Sequence, residues 1–254
     1  MIKNLRPPSY AILICSCAKN EFLAFHTLYC LSLIPILWQN AKQICILSPL
    51  KSENPVPVNC FILNKKEVML LRPYDDGVEK CIQDVIPLLD ADYVFFNMDD
   101  RPALRYSMRL LVELFLLLLN VSPDCVRITR DGPLSLTTSS FGSISKATFY
   151  KTSLTNTFLK KSFIQRLFIS GASIWSIDKY GTDFDYTAYA PSFLSYLHPP
   201  ISVSHLLLKG KIIELPINPL LRLAITKNFL KQNFFHRLYA FIYRILSPLL
   251  LSIL

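Results

Sequence analysis

The residues that point most directly to chemistry are two adjacent carboxylates, Asp99 and Asp100, which end an apolar run that begins at Tyr93. The run is β-branched and aromatic, a pattern typical of a strand buried on both faces of a sheet. In open α/β folds, ligands bind at the carboxyl ends of the strands. Two hard oxygen ligands there could hold Mg²⁺ or Mn²⁺, and that ion could hold a diphosphate. The alternative is that the two acids only end the strand and cap the next helix.

Composition limits the classes of function. The chain has 254 residues, is 52% hydrophobic and carries a net charge of +9. Its mean hydropathy is +0.34. This length fits one large domain or a domain with a small appendage. The positive charge favours an anionic partner, such as a nucleotide, a phospholipid surface or a nucleic acid. Only six glycines are present, and the absence of a Gly-rich phosphate loop argues against a P-loop NTPase or a nicotinamide-dependent dehydrogenase.

The seven cysteines are scattered, and most lie inside apolar runs, where a cysteine usually serves as a small buried hydrophobe. No pair or cluster has the spacing of a zinc site. We therefore expect a reducing, cytoplasmic location without disulfides. The segment from Met1 to Tyr10 is basic and contains Pro7-Pro8, and it lacks a long apolar stretch, so we predict no signal peptide.

Strands and helices alternate between residues 9 and 130, which predicts an α/β domain with a mostly parallel central sheet flanked by helices. Strands are predicted over 9–17, 43–48, 59–64, 67–71, 93–100 and 126–129, and helices over 21–39, 75–89 and 104–119. Pro35 should kink or end the first helix. Residues 131–153 are predicted to form a loop or an irregular hairpin.

The C-terminal part of the chain has a different pattern. Over 233–246 a helix would place five apolar side chains on one face and two arginines on the other, namely Phe234, Leu238, Phe241, Ile242 and Ile245 against Arg237 and Arg244. This pattern is typical of an interfacial helix on an anionic membrane. The alternative is a helix that packs on the protein's own core. We therefore divide the chain into a domain over 1–216 and a helical extension over 217–254.

Several segments together resemble a known family. They are Ile12–Glu21, Trp38–Asn40, Tyr74–Gly77, Tyr93–Asp100, Ile169–Trp175 and His205–Lys211. In this order and spacing they resemble bacterial GT-A-type glycosyltransferases, which use nucleotide sugars to build surface glycans and have one α/β domain. The resemblance covers most of residues 9–213, and no single segment is highly specific.

The resemblance implies a role for each matching residue. Asp99 and Asp100 would bind a divalent cation, Mn²⁺ or Mg²⁺, on the diphosphate of the donor. Ser16, Cys17 and Lys19 would lie in the loop that meets the nucleotide base.

The chain departs from the family at two positions. Ala18 stands where such enzymes often have an aspartate, and Arg101 stands where an aromatic residue is common. An arginine beside two carboxylates could neutralise them and compete with a metal ion. Metal dependence is therefore an open question at this stage.

Further donor-binding roles follow from the same resemblance. Asp75 and Asp76 could accept hydrogen bonds from the ribose hydroxyls, although acids at a helix start are also ordinary caps. Trp175 could stack on a sugar ring, or it could be a buried core residue. Lys209 and Lys211 could bind the diphosphate as point charges, or they could belong to a solvated turn.

The catalytic base should be an acid beyond the Trp175 segment, and Asp185 and Asp183 are the candidates. We prefer Asp185, because the Phe184-Asp185 step resembles an aromatic–acid step of the family. The predicted function is transfer of a sugar from a nucleotide-sugar donor to a glycan or lipid-linked acceptor in surface polysaccharide biosynthesis. The enzyme would be peripheral on the inner face of the cell membrane through residues 233–246.

Two alternatives belong to other classes. Ala18 and Arg101 would suit a non-catalytic GT-A-like module that binds a nucleotide or a partner. A nucleic-acid-binding protein is not expected, because the basic residues are dispersed and do not form a stripe with interleaved aromatic residues.

Overall fold

A ten-stranded sheet runs through the part of the chain that this computed structural model describes. The described residues are 8–17, 20–50, 59–99, 101–128, 134–136, 141–144, 154–169, 193–196, 200–203, 207–208 and 211–212. The strands are β1 (Tyr10–Cys15), β2 (Gln43–Leu47), β3 (Asn59–Leu63), β4 (Lys66–Leu71), β5 (Tyr93–Met98), β6 (Ala103–Tyr106), β7 (Cys125–Arg127), β8 (Leu134–Leu136), β9 (Phe141–Ile144), β10 (Thr157–Lys160), β11 (Phe193–Tyr196), β12 (Ile201–Val203), β13 (Leu207–Leu208) and β14 (Lys211–Ile212). The helices are α1 (Glu21–Ser32), α2 (Pro35–Asn40), α3 (Val78–Val85), α4 (Met108–Asn120) and α5 (Lys161–Ile169), with a 3₁₀ turn at Ile86–Leu88.

The large sheet has the strand order β3-β4-β2-β1-β5-β10-β7-β11-β9-β8. Parallel pairings join β4, β2, β1 and β5, and β10 lies antiparallel between β5 and β7. Following the pairings outward, β4, β2, β1, β5, β7, β11 and β8 run in one direction, and β3, β10 and β9 run in the other. The predicted α/β class with a mostly parallel central sheet is therefore confirmed for the described strands.

The two central strands, β1 and β5, are buried on both faces. Their side chains alternate between two apolar clusters, with Ile12 and Phe95 in one and Leu13 and Phe96 in the other. Residues of α1, α2 and α4 complete the first cluster, and residues of α3 and α5 complete the second. This double coverage explains why both strands are continuously apolar in sequence.

Four aromatic side chains pack against one another in the first apolar cluster. The ring of Phe158 on β10 lies 5.4 Å from that of Tyr10, 5.0 Å from that of Phe95 and 6.4 Å from that of Phe115, measured between centroids. The Tyr10 hydroxyl donates a hydrogen bond to the carbonyl of Leu37 in α2. Burial raises the pKa of Tyr10, so this hydroxyl stays protonated and remains a donor.

Pro35 interrupts the first helical segment, as predicted. The structure has two helices there, and Pro35 is the first residue of α2. Proline fits this position because its missing N–H group would have no partner in the first helical turn.

The predicted start of the helix over 75–89 is wrong. Helix α3 begins at Val78, and Gly77 precedes it with a φ of 99°. Asp75 therefore lies outside the first helical turn, where its N–H donates to the carbonyl of Leu50 at 3.1 Å. The cause is Gly77, because a positive φ is costly for other residues and turns the chain before the helix begins.

The predicted start of the helix over 104–119 is also wrong. Residues Ala103–Tyr106 form β6, which pairs with β12, and α4 begins only after Ser107. The Ser107 side chain accepts a hydrogen bond from the N–H of Leu110 at 3.4 Å, an ordinary serine N-cap. The preceding strand depends on a partner almost 100 residues away, which helical periodicity does not reveal.

Within residues 131–153, β8 and β9 form the predicted hairpin, with Leu134 opposite Ile144. The helix predicted over 233–246 lies outside the described residues. Among the helices that the structure describes, none is long and apolar enough to cross a membrane.

Stability should depend on pH through α1. His26 is 5% exposed, and burial lowers its pKa to about 4. The folded state therefore binds this proton less readily than the unfolded state, whose histidine has a pKa of about 6.5. The contribution is complete above pH 6.5 and is lost as the pH falls from there towards 4.

We expect the free energy of unfolding to fall by about 2–3 kcal/mol through His26 between pH 7 and 4.5. Urea titrations at both pH values should show a smaller fall for His26→Leu than for the wild type. An equal fall in the two proteins would mean that His26 does not titrate in this way.

Candidate functional site

Polar side chains collect at one edge of the large sheet, which we call the carboxyl edge. It comprises the residues at or directly after the ends of β1, β2, β4, β5 and β7, and the residue before β10, which runs the other way. Its described polar side chains are Ser16, Ser48, Arg72, Asp99, Arg127 and Asn156. Ligands of open α/β sheets bind at this edge.

Asp99 is the most firmly held residue of the carboxyl edge. Its N–H donates to the carbonyl of Cys15 at 3.0 Å, and its own carbonyl accepts from the Thr27 hydroxyl at 2.5 Å. Its carboxylate accepts from the Ser16 hydroxyl at 2.7 Å, and the residue is only 8% exposed. Contacts from β1, from the residue that follows β1 and from α1 therefore fix Asp99 before any ligand binds.

The charge of Asp99 affects its neighbour Cys15. Burial raises the pKa of the Cys15 thiol well above its ordinary value, and the nearby Asp99 carboxylate raises it further. A thiol with a raised pKa is a poor nucleophile at neutral pH, and the Cys15 side chain packs in the second apolar cluster.

Ser16 and Cys17 follow β1 and lie beside Asp99. The Ser16 N–H continues the sheet by donating to the carbonyl of Leu47 at 2.9 Å. Cys17 is half-buried, and its carbonyl accepts from the N–H of Asn20 at 2.9 Å in the turn that leads into α1. The nucleotide contacts that the sequence predicted for both residues stay predictions. In the structure the Ser16 hydroxyl donates to the Asp99 carboxylate at 2.7 Å.

Asn97 shapes the turn in which Asp99 lies, and sequence analysis did not single it out. It is fully buried, its amide donates to the carbonyl of Arg101 at 3.1 Å, and its amide oxygen accepts from the N–H of Met98 at 2.9 Å. A polar residue inside an otherwise apolar strand was the available signal. Both ends of its amide are thus used to close the turn around Asp99.

A second polar contact ties α1 to the other half of the sheet. Arg72, which follows β4, donates to the carboxylate of Glu21 at 2.8–2.9 Å, and both side chains are about 15% exposed. The sequence does not reveal this pair, because its members are 51 residues apart. It fixes the N-terminal end of α1 near the carboxyl edge.

The far side of the carboxyl edge contains two more buried polar residues that the sequence did not reveal. Arg127 ends β7 opposite Thr157, and Asn156 precedes β10. Both are fully buried, and the carbonyl of Asn156 accepts from the N–H of Ile128 at 3.0 Å. The charge of Arg127 lowers the pKa of the Cys125 thiol, although burial outweighs it and raises that pKa to about 12.

Asp75 and Asp76 lie on the β4 side of the edge, where Asp75 is half-buried and Asp76 is exposed. Three strand spacings, about 14 Å, separate β4 from β5, and both acids lie in the segment that follows β4. The structure brings Ser16 to Asp99, whereas the N–H of Asp75 donates to the carbonyl of Leu50.

The structure describes no side-chain position for most of the other predicted site residues. Asp100, Lys19, Trp175, Asp183, Asp185 and Lys209 lie outside the described residues, and only the backbone of Lys211 is described, in β14. Their predicted roles stay predictions.

Oxygen ligands of Asp99 are of the kind that Mg²⁺ and Mn²⁺ prefer, and their position after a central strand suits a metal-bound diphosphate. Within the described ranges, no group of three or more His, Cys, Asp or Glu side chains could hold a metal ion. A metal at this edge would therefore need Asp100, ligand phosphates or water in addition to Asp99.

Comparison with known proteins gave structural likenesses only. No protein-family profile and no curated sequence matches the chain. The chain is similar in fold to Staphylococcus aureus TarS residues 1–349, with 10% identity and a TM-score of 0.46 over 77% of this chain and 59% of that one. The same fragment in complex with UDP-GlcNAc gives 11% identity and a TM-score of 0.45, over 77% and 57% of the two chains. HddC from Yersinia pseudotuberculosis gives 14% identity and a TM-score of 0.42, over 78% and 93%.

The chain thus spans just under 60% of the length of the TarS fragment that it matches. At these levels of identity and score, the likenesses carry no argument about the site or its chemistry.

The hydrogen bond from Thr27 to the Asp99 carbonyl can be tested directly. Thr27→Val keeps the shape of the side chain and removes the donor, so we expect the free energy of unfolding to fall by about 1–3 kcal/mol. Thr27→Ser keeps the hydroxyl and serves as the control. Urea titrations in which valine and serine behave alike would show that this bond does not hold the turn.

Proposed function

We propose that the chain is a glycosyltransferase that binds a nucleotide-sugar donor across the carboxyl edge. The observation that carries the proposal is the anchoring of Asp99, whose carboxylate accepts from Ser16 at 2.7 Å and whose carbonyl accepts from Thr27 at 2.5 Å. Burying a carboxylate is costly unless hydrogen bonds or a cation compensate its charge. The Ser16 hydroxyl supplies one such bond, and a divalent cation on the diphosphate of a donor would add a compensating charge at the end of a central strand.

The dimensions of the edge support an elongated ligand. Asp75 and Asp76 would accept hydrogen bonds from the ribose hydroxyls on the β4 side. The diphosphate would lie near Asp99, which follows β5. By strand spacing, β5 lies about 14 Å from β4. The sugar would then lie towards β10 and β7, and the loop with Ser16, Cys17 and Lys19 would face the nucleotide.

A divalent cation fits this arrangement by chemistry. Asp99 and Asp100 would hold Mn²⁺ or Mg²⁺, which would offset the negative charge that builds on the leaving nucleotide diphosphate. Lys209 and Lys211 would add positive charge to the diphosphate. Arg101 directly follows the acidic pair and could compete with a metal ion for it. The dependence of sugar transfer on a divalent cation is therefore to be measured.

In the proposed reaction a hydroxyl of the acceptor attacks the anomeric carbon of the donor sugar. Asp185, or alternatively Asp183, takes the proton of that hydroxyl, and the bond from the anomeric carbon to the diphosphate breaks. The bonding electron pair leaves with the nucleotide diphosphate. Trp175 would hold the sugar by stacking on its apolar face.

A panel of nucleotide diphosphates and nucleotide sugars, each with and without Mn²⁺, tests donor binding by thermal shift. A ligand that binds only the folded state raises the apparent stability with its concentration. We expect one nucleotide to stabilise the protein, and more so with Mn²⁺. Binding without transfer to any acceptor or to water would favour the non-catalytic nucleotide-binding module.

Substitution of the acidic pair tests its role. We expect Asp99→Asn and Asp100→Ala to abolish sugar transfer and to leave the fold intact, because asparagine keeps an oxygen that can accept from Ser16 and a carboxylate at the rim of a sheet contributes little to the core. Asp84→Asn, a change at a half-exposed acid on α3, is the matched control and should keep full activity. Rates from a donor-consumption assay and circular dichroism spectra measure the two effects. Full transfer by either variant at the pair would remove that residue from the mechanism.

The acceptor is proposed to be a glycan or a lipid-linked saccharide at the inner face of the membrane. The net charge of +9 and the predicted amphipathic helix over 233–246 support contact with an anionic lipid surface. The full chain should sediment with anionic liposomes, and a chain that ends at Asn228 should stay folded but remain in the supernatant. Aggregation of the shortened chain, with no liposome binding by the full chain, would instead place the helix in the core.

A further inference from the structure

Asn156 carries a fully buried amide. It is 0% exposed, and within the described part of the chain neither its amide nitrogen nor its amide oxygen has a hydrogen-bond partner. Thr157 pairs with Phe96 across the antiparallel strands, so Asn156 stands at the level of Asn97. Asn97 is equally buried but has a partner for both ends of its amide. Since buried polar groups in proteins are nearly always paired, the difference needs an explanation.

The backbone at Asn156 makes the choice of residue more informative. Its φ is 48°, in the left-handed region, where glycine is the least costly residue and asparagine is tolerated. The backbone itself is well held, because the Asn156 carbonyl accepts from the N–H of Ile128. Glycine would therefore satisfy the backbone here and would bury no unpaired amide.

Two other buried polar residues lie at the carboxyl edge. The fully buried Arg127 ends the neighbouring strand β7, opposite Thr157. Ser48, directly after β2, is also fully buried, and its hydroxyl has no hydrogen-bond partner among the described residues. From β2 to β10 is three strand spacings, about 14 Å. Hydrogen-bonding groups without a described partner thus lie on both sides of β5, which Asp99 follows.

We propose that Asn156 binds a hydroxyl of the sugar that is transferred. A sugar hydroxyl both donates and accepts hydrogen bonds, and an amide offers one group of each kind. This inference rests on the proposed function, because it assigns the sugar of the donor to the β10 side of Asp99. Asn156 is fully buried, so its amide must become accessible from the carboxyl edge for the sugar to bind.

The first test asks whether the amide serves the fold. Asn156→Gly removes the amide and suits the positive φ. Asn64→Gly is the matched control, because Asn64 also has a positive φ, of 44°, but its amide donates to the Ser32 hydroxyl at 2.5 Å. We expect Asn64→Gly to lower the unfolding temperature and Asn156→Gly to leave it unchanged or raise it.

The second test measures whether the Asn156 amide contributes to binding of the sugar. Titration calorimetry compares UDP with UDP-glucose and UDP-GlcNAc, GDP with GDP-mannose, and dTDP with dTDP-glucose, on the wild type and on Asn156→Gly. For the nucleotide that binds, we expect the variant to keep the wild-type affinity for the diphosphate alone. Its affinity for the nucleotide sugar should fall about tenfold, the loss expected for one or two hydrogen bonds.

The outcomes separate this inference from the proposed function. If Asn156→Gly lowers the unfolding temperature as Asn64→Gly does, the amide is structural and the inference is wrong. If the variant binds the nucleotide sugar as tightly as the wild type, the inference is wrong and the proposed function stands. If the wild type binds none of these nucleotides or nucleotide sugars, the proposed function itself fails, and the inference fails with it.

Discussion

Burial of β1 and β5 on both faces is the constraint on which the rest of the structure depends. Side chains along these strands enter one of two apolar clusters, so charged groups find a place only where the strands end. Asp99 takes such a place, one residue past β5, and hydrogen bonds from Ser16 and Thr27 offset its burial. The apolar centre thus decides where the polar chemistry of the molecule lies.

Helix α1 links the core to this chemistry. One side of it contributes Leu28 and Leu31 to the first apolar cluster, while Thr27 bonds the Asp99 carbonyl and Glu21 pairs with Arg72. A shift of the helix would disturb packing and the position of Asp99 together. Because His26 on the same helix has a low pKa, lowering the pH destabilises the fold through the helix that holds Asp99. Stability and site geometry are therefore coupled through one helix.

The sequence revealed features that depend on neighbouring residues. Continuous apolar runs predicted β1 and β5, Pro35 predicted the break between α1 and α2, and the position of Asp99 followed from the strand before it. Features that depend on distant partners were missed. Strand β6 requires β12, and β10 pairs with β5 from about 60 residues further on. For the same reason the anchoring by Thr27 and the burial of Asn156 became visible only in three dimensions.

Two buried asparagines at the same level of the sheet differ in whether the described structure uses their amides. Both ends of the Asn97 amide form hydrogen bonds in the turn around Asp99, so Asn97 contributes to the fold. Asn156 leaves both ends unused at a backbone position that glycine would occupy more easily. A fold selected for stability alone would remove such an amide, because an unpaired buried group destabilises the native state. Under the binding role proposed for Asn156, a polar ligand would supply the partners that the amide lacks among the described residues.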